Sequence, residues 1–177
     1  MSAESDTRAW LRERGAEGVA HPGGTLYAHL SRVHGRLGRL GLGEDVRLAG
    51  LAHAAYGTDG FDLALLDPAE RPTLRALVGE PAEHLVYLYG GCDRDRTWPR
   101  LAETGEVWDR FAGGARRLEP PVLTAFVDLT VVNELDVAEQ APGFVEEHGD
   151  HFRRLFASWA AIASPAVTAD ARHVLSF

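Results

Sequence analysis

Apolar residues recur at helical spacing through most of the chain, and this periodicity limits the possible folds more than any other feature. Between residues 26 and 40 they fall three or four positions apart, at Leu26, Leu30, Val33, Leu37 and Leu40. Such spacing places them on one face of an α-helix. Similar stripes follow along the chain, without a convincing segment of the alternating apolar and polar residues that is typical of a strand. The sequence therefore predicts an all-α fold.

Glycine and proline divide these stripes into six or seven predicted helices. We expect them over about 5–15, 25–40, 45–56, 69–78, 81–89, 120–140 and 145–162. Thr25 is expected to cap the second helix, the segment 97–117 to be irregular or weakly helical, and a Pro165-containing tail to end the chain. With no internal repeat or linker, the 177 residues are expected to form a single-domain bundle.

Composition excludes several classes of function. The net charge is −8 and no basic run is present, which argues against nucleic acid or an anionic membrane as a partner. All 18 basic residues are arginine, which excludes a Schiff-base lysine and a phosphate-loop lysine. The single cysteine excludes intramolecular disulfides and cysteine-based zinc sites. The Arg, Ala and Gly bias indicates a GC-rich bacterial genome, and the lack of a signal or apolar span predicts a cytoplasmic protein.

The stretch from Asp45 to Phe61 is the strongest candidate for a functional site. His53 lies there among small and apolar residues, so we expect it to be buried inside the helix. The turn that follows contains Tyr56, Thr58 and Asp59, which should place polar groups at the mouth of whatever His53 faces. Tyr56 is a candidate donor to a developing oxyanion, and Thr58 and Asp59 are candidate substrate-binding residues.

A second histidine, His29, borders the apolar stripe of the preceding helix. The tight connection Gly41-Leu-Gly-Glu should return the chain antiparallel, so that the His29 helix packs beside the His53 helix. Asp93 follows a later helix, and it shares a face with Val86 and Tyr89 if that helix continues past Gly90-Gly91.

An all-α chain with His29, His53 and a distant Asp93 on three helices resembles the HD-domain superfamily of metal-dependent phosphohydrolases and its oxygenase branch. The resemblance implies an HD-like core at about 21–140 with a C-terminal packing helix at about 145–162. Ala54 stands where that pattern has an aspartate, which argues against phosphohydrolase activity. The segments around His21 and His53 also resemble a bacterial family with a His-x-x-Tyr-Gly-Thr signature, from which no reaction can be carried over.

Two chemistries fit this set of residues. His29, His53 and Asp93 could hold one divalent metal, Fe, Mn or Zn, with open positions for substrate. Alternatively, His53 and His29 act without a metal as general acid and base, with Asp93 orienting an imidazole. His21, before a glycine-rich turn, and Asn133, on the long helix, are further candidate substrate-binding residues.

The sequence favours an enzyme that acts on a small molecule. The alternative is a non-catalytic small-ligand binding module derived from an HD-like fold, which the Ala54 replacement favours. A structural protein is least supported, although a homodimer through the aromatic C-terminal helix is compatible with the sequence.

Overall fold

Two helices joined by a short turn, α2 (Leu26–Arg39) and α3 (Glu44–Ala52), pack side by side and position the candidate histidines. They run antiparallel, because Gly38 lies against Arg47 and Gly50 lies against the side chains of Leu37 and Val33. Glycine at position 50 allows this close approach, since a Cβ atom there would clash with Leu37. The computed structural model describes residues 2–61 and 63–177.

The other helices surround this pair. Their bounds are α1 (Ala3–Glu13), α4 (Arg71–Val78), α5 (Glu80–Gly91), α6 (Arg94–Thr97), α7 (Leu101–Thr104), α8 (Pro120–Gln140), α9 (Phe144–Trp159) and α10 (Pro165–Leu175). Two short antiparallel hairpins complete the structure, β1 (Ala20–His21) with β2 (Gly24–Thr25), and β3 (Glu106–Trp108) with β4 (Ala115–Arg117). Three 3₁₀ turns lie at Ala16–Gly18, Pro68–Glu70 and Trp98–Arg100.

Helix α8 crosses the main hydrophobic core. Phe126, Leu129 and Leu135 on this helix are fully buried, and they belong to the same core cluster as residues of α3, α5, α9 and α10. A smaller cluster joins α1, α2 and α3 and the chain after α3 through Leu11, Leu30, Leu51 and Leu65. None of the helices in the described part of the chain is long and apolar enough to cross a membrane.

The predicted fold class is confirmed, because the described chain is an all-α single domain with only two very short sheets. Helix α8 has the expected bounds. Thr25 caps α2 as predicted, because its hydroxyl oxygen accepts a hydrogen bond of 3.1 Å from the backbone N–H of Ala28.

The C-terminal segment differs from its prediction. The residues expected to form a tail are helix α10, and Pro165 occupies its first turn, where a proline needs no hydrogen-bond partner. The buried carboxylate of Asp128 accepts hydrogen bonds from the backbone N–H and hydroxyl of Ser164, just before α10. Phe156 and Trp159 are buried inside the chain. The aromatic face of α9 is therefore covered by its own chain.

The helix that contains the candidate site is shorter than predicted. Helix α3 ends at Ala52, and His53 is its C-cap residue. The chain then turns, with Ala55 N–H bonded to the Ala52 carbonyl and Gly57 N–H bonded to the Ala54 carbonyl. Ala54, Ala55 and Gly57 are small enough for this tight turn. Because the chain turns before Tyr56, the phenol does not point where a continued helix would direct it.

Candidate functional site

Two buried histidines face each other beside α8. His29 lies on α2 and His53 directly follows α3, and their side chains are almost completely buried. Because α2 and α3 run antiparallel, the two rings meet edge to face, with 3.2 Å between the two Nε2 atoms. The structure thus brings together the two residues that the sequence singled out.

Each of these rings is fixed by an acceptor at its Nδ1 atom. His29 Nδ1–H donates to Asp136 Oδ2 over 2.6 Å, and His53 Nδ1–H donates to the carbonyl oxygen of Gly50 over 2.8 Å. A carboxylate and a carbonyl only accept, so Nδ1 carries the proton in both rings. In their neutral forms both histidines therefore present a lone pair at Nε2.

Asn133 adds a third acceptor at the same place. Its amide Nδ2–H donates to Glu134 Oε1 over 2.9 Å, which leaves the amide oxygen 2.9 Å from His29 Nε2. His29 Nε2 therefore has two lone-pair atoms within hydrogen-bond distance, His53 Nε2 and the Asn133 oxygen. Buried lone pairs that converge in this way require a positive species among them, either a proton or a metal ion.

Asp136 anchors the cluster from α8. Arg32 binds its carboxylate through two hydrogen bonds, 2.8 Å from Nε to Oδ1 and 3.0 Å from Nη2 to Oδ2. Burial acts to raise the pKa of Asp136, but the hydrogen bonds from His29 and Arg32 outweigh it and the pKa is lowered. Asp136 therefore stays ionised and holds the His29 ring in one orientation.

A third histidine, His21, covers His29 from the first hairpin. The two rings are stacked with centroids 4.0 Å apart, and within residues 2–61 and 63–177 the buried His21 Nδ1 has no hydrogen-bond partner. Burial, together with the charge of neighbouring His29, lowers the pKa of His21 to about 4 and that of His53 to about 3. Both rings are therefore neutral near pH 7.

A cavity of about 320 Å³ opens against these groups. This volume suits a small organic molecule. Its polar lining includes His21, His29, His53, Thr58, Asp59, Tyr89, Arg94, Asn133 and Glu134. Its apolar lining includes Pro22, Leu26, Ala54, Phe61, Val137 and Phe144.

Four predicted substrate-binding residues, His21, Thr58, Asp59 and Asn133, line this cavity. The carboxylate of Asp59 also accepts a 2.9 Å hydrogen bond from the backbone N–H of Arg94. This contact fixes the turn after His53 against the start of α6.

Tyr56 does not take its predicted place. Its hydroxyl donates to Glu83 Oε1 over 2.8 Å, inside a buried group in which Arg71 binds the same carboxylate at 2.7 and 2.9 Å. Because α3 ends at Ala52, the chain has turned before residue 56 and directs the phenol towards α5. Tyr89 supplies the phenol that lines the cavity.

Asp93 also lies outside the histidine cluster, so the predicted set of His29, His53 and Asp93 is not assembled. Helix α5 ends at Gly91, and Asp93 caps α6 through a 3.0 Å hydrogen bond from the N–H of Arg96. The glycine pair and the bridge between Cys92 and Asp109 end the helix before residue 93 can reach the shared face.

Three residues of the site escaped the sequence prediction: Asp136, Tyr89 and Arg94. Asp136 follows Asn133 by about one helical turn and so shares its face of α8, and this spacing is a signal that could have identified it. Arg94 lies in the run Asp93-Arg94-Asp95-Arg96, a pattern typical of solvated surface charges. In the structure its guanidinium lies 3.2 Å from Glu134 Oε1 and donates to the hydroxyl of Tyr89 over 2.9 Å.

The cluster fits a divalent metal in its spacing. Adjacent ligand atoms at roughly 2.1 Å from a metal lie about 3.0 Å apart in octahedral and about 3.4 Å apart in tetrahedral geometry. The separations from His29 Nε2 are 3.2 Å to His53 Nε2 and 2.9 Å to the Asn133 oxygen, which are closer to the octahedral value. Both Nδ1 atoms are bound by acceptors, as is usual for metal-binding histidines. Among the described residues no three His, Cys, Asp or Glu side chains converge as ligands, so Asn133 would be the third protein ligand.

In a comparison with known protein families, one family model matches a segment of the chain that contains part of this site. A domain of unknown function (DUF6817) matches residues 10–94, which include His21, His29 and His53 but end before α8. No curated protein and no solved structure matches the chain.

Proposed function

We propose that this protein is an enzyme that acts on a small molecule, with one divalent metal held by His29, His53 and Asn133. The observation that carries the proposal is that two buried lone-pair atoms, His53 Nε2 and the Asn133 oxygen, each lie within 3.2 Å of a third, His29 Nε2, beside a cavity. We still infer an HD-like site in which His29 and His53 are metal ligands, but the third ligand is Asn133 on α8 and not Asp93.

The side chains around the cluster prepare it for this role. Asp136 and the Gly50 carbonyl fix the tautomers, so that both Nε2 atoms point their lone pairs inward. Glu134 fixes the Asn133 amide with its oxygen towards His29. A bound Fe, Mn or Zn ion supplies Lewis acidity towards a substrate oxygen or a water.

The cavity residues bind and orient the substrate. Tyr89 and Thr58 offer hydroxyl groups, and the His21 ring, stacked on His29, forms part of the cavity wall. Phe61 and Phe144 cover apolar parts of the substrate and exclude water. A neutral or weakly polar small molecule with at least one hydrogen-bond donor suits this lining.

Metal content tests the proposal directly. Protein produced without a histidine tag and without chelators should contain about one Fe, Mn or Zn ion per chain, measured by inductively coupled plasma mass spectrometry. His29→Ala and His53→Ala should lose the metal, because each removes one of three protein ligands. His148→Ala is the matched control, because that side chain is 48% exposed on α9. Background metal content in the parent, with no uptake on titration, would exclude the metal-dependent form.

A metal-free acid–base enzyme is the second candidate, favoured by the 3.2 Å hydrogen-bond distance between the two Nε2 atoms. A proton on His29 Nε2 would be shared with His53 Nε2 and the Asn133 oxygen, and the Asp136 carboxylate would balance its charge. His29 would then donate or accept protons at the cavity. Imidazole ¹⁵N chemical shifts at pH 7 should show one doubly protonated ring in this case, and two neutral rings if a metal is bound.

The binding-module alternative is supported by Ala54, which leaves the cavity wall without the carboxylate of the HD pattern. For this alternative, a ligand found by screening should bind the parent and His53→Gln without turnover. Turnover by the parent that His53→Gln abolishes would refute it.

A further inference from the structure

A second groove lies on the other side of Arg94. It occupies about 310 Å³ between α9 and the segment formed by α6 and the turn Trp98–Arg100. Its lining contains Trp98, Pro99 and Leu155 as apolar groups, and Arg94, Asp95, His151 and Arg154 as polar groups. The groove therefore combines an apolar floor with a rim that carries two guanidinium groups.

We propose that this groove binds a small organic anion, a carboxylate or a phosphate monoester with a flat apolar body. The indole of Trp98 packs edge to face on Phe152 and Trp159, which fixes it as a rigid surface for such a body. The guanidinium carbon of Arg94 lies over the Trp98 ring, 4.8 Å from its centre, so the indole and a positive group belong to the same wall of the groove.

The charges around the groove favour an anion. Arg154 is exposed, and no carboxylate in the described part of the chain lies within ion-pair distance of it. Arg94 lines both the cavity and the groove, and its contacts with Glu134 through Nη1 and with Tyr89 through Nη2 do not use all five of its N–H donors. Among the described residues Asp95 is the one acidic group of this lining, and its side chain is exposed to water.

Arg94 also connects this groove to the histidine cluster. From its guanidinium, polar contacts run 3.2 Å to Glu134, 2.9 Å from Asn133 to Glu134, and 2.9 Å between Asn133 and His29. An anion that draws Arg94 towards the groove weakens its pairing with Glu134. Occupancy of the groove is therefore coupled to the hydrogen bonds that orient Asn133, and the coupling is reciprocal.

Matched ligands that differ only in charge test the site. We would titrate benzoate, phenyl phosphate and neutral benzamide into the full-length protein by isothermal titration calorimetry. The two anions should bind saturably, and benzamide should bind at least about tenfold more weakly, because it lacks the charge that the guanidinium groups recognise. The anion that binds more tightly identifies the carboxylate or the phosphate class.

Three variants locate the binding. Arg154→Ala should weaken anion binding about five- to tenfold, whereas the control Arg172→Ala, an exposed arginine on α10, should not change it. Glu134→Gln should tighten binding about threefold, because it removes the carboxylate that competes for Arg94. Binding that is equal for benzoate and benzamide, absent, or insensitive to Arg154→Ala would overturn the proposal. These titrations need neither a metal nor turnover, so failure of the proposed enzyme would leave their outcome unchanged.

Discussion

Replacing Asp136 by asparagine should destabilise the protein strongly, because this carboxylate joins α8 to α2 through two different partners. It receives two hydrogen bonds from Arg32 and one from His29, and its side chain is only 5% exposed. Removing one charge from a buried pair costs about 3–5 kcal/mol. Asparagine keeps the shape and one acceptor oxygen, but its NH₂ group must face a donor, so we expect a loss of about 2–4 kcal/mol.

Urea unfolding followed by circular dichroism at pH 7 measures this loss, and thermal unfolding should show a fall in Tm of about 5–15 °C for a chain of this size. Asp170→Asn is the matched control. Asp170 also binds one arginine through two hydrogen bonds, from Arg36 at 2.7 and 3.1 Å, but it is 18% exposed and has no histidine partner. The control should lose less, because Asp170 is more exposed than Asp136 and Arg36 keeps a second carboxylate partner in Glu139. If Asp136→Asn costs no more than Asp170→Asn, the anchoring role of Asp136 is refuted.

The pH dependence of this difference follows from the lowered pKa of Asp136. An acid whose pKa is lowered on folding stabilises the native state above its ordinary value, 3.8 here, and this contribution is lost as the pH falls through the lowered value. The stability advantage of the parent over Asp136→Asn should therefore be constant from pH 7 to about 5 and shrink below about 4. Urea unfolding at several pH values would contradict this if the advantage grew on acidification.

Three further substitutions test separate parts of the fold by urea unfolding. Gly50→Ala should cost about 1–3 kcal/mol of stability, because the new methyl group clashes with Leu37. An unchanged stability would show that α2 and α3 can move apart without cost. Thr25→Ala should cost about 1 kcal/mol, because the N–H of Ala28 loses its capping oxygen, and a neutral effect would argue against the cap. Glu83→Gln should cost about 3 kcal/mol or more, because this fully buried carboxylate accepts hydrogen bonds from an arginine and a tyrosine. A loss of stability below about 1 kcal/mol would contradict its structural role.

The fold was predictable from sequence where apolar periodicity is long. Helices α2 and α8 are recognisable because several turns repeat the same stripe, and Thr25 marks the start of α2. Helix α10 lies where the sequence predicts a Pro165-containing tail, because proline is typical of turns but is also favoured in the first turn of a helix. The second hairpin has strands of three residues, which are too short for an alternating pattern to be visible.

Residues of the site could be predicted only where a polar side chain stands among apolar ones on helices that are adjacent in the sequence. His29 and His53 stand out among apolar residues, and the short connection between α2 and α3 determines that they meet. Asp136 lies 107 positions from His29, and no local pattern predicts a contact over that distance. Asp93 was misplaced because its position depended on a helix continuing through two glycines.

The distribution of buried polar groups along α8 separates structural from functional residues. Buried polar groups reduce stability unless their hydrogen bonds are completed, and well-packed apolar residues often stabilise a helix interior more. Asp128 is explained structurally, because its carboxylate binds the N–H and hydroxyl of Ser164 before α10. Asn133 has no comparable explanation, since its oxygen faces the lone-pair atom of His29 rather than a backbone donor. A packing role alone would favour leucine at position 133, so the amide is better explained by the species that the histidine cluster binds.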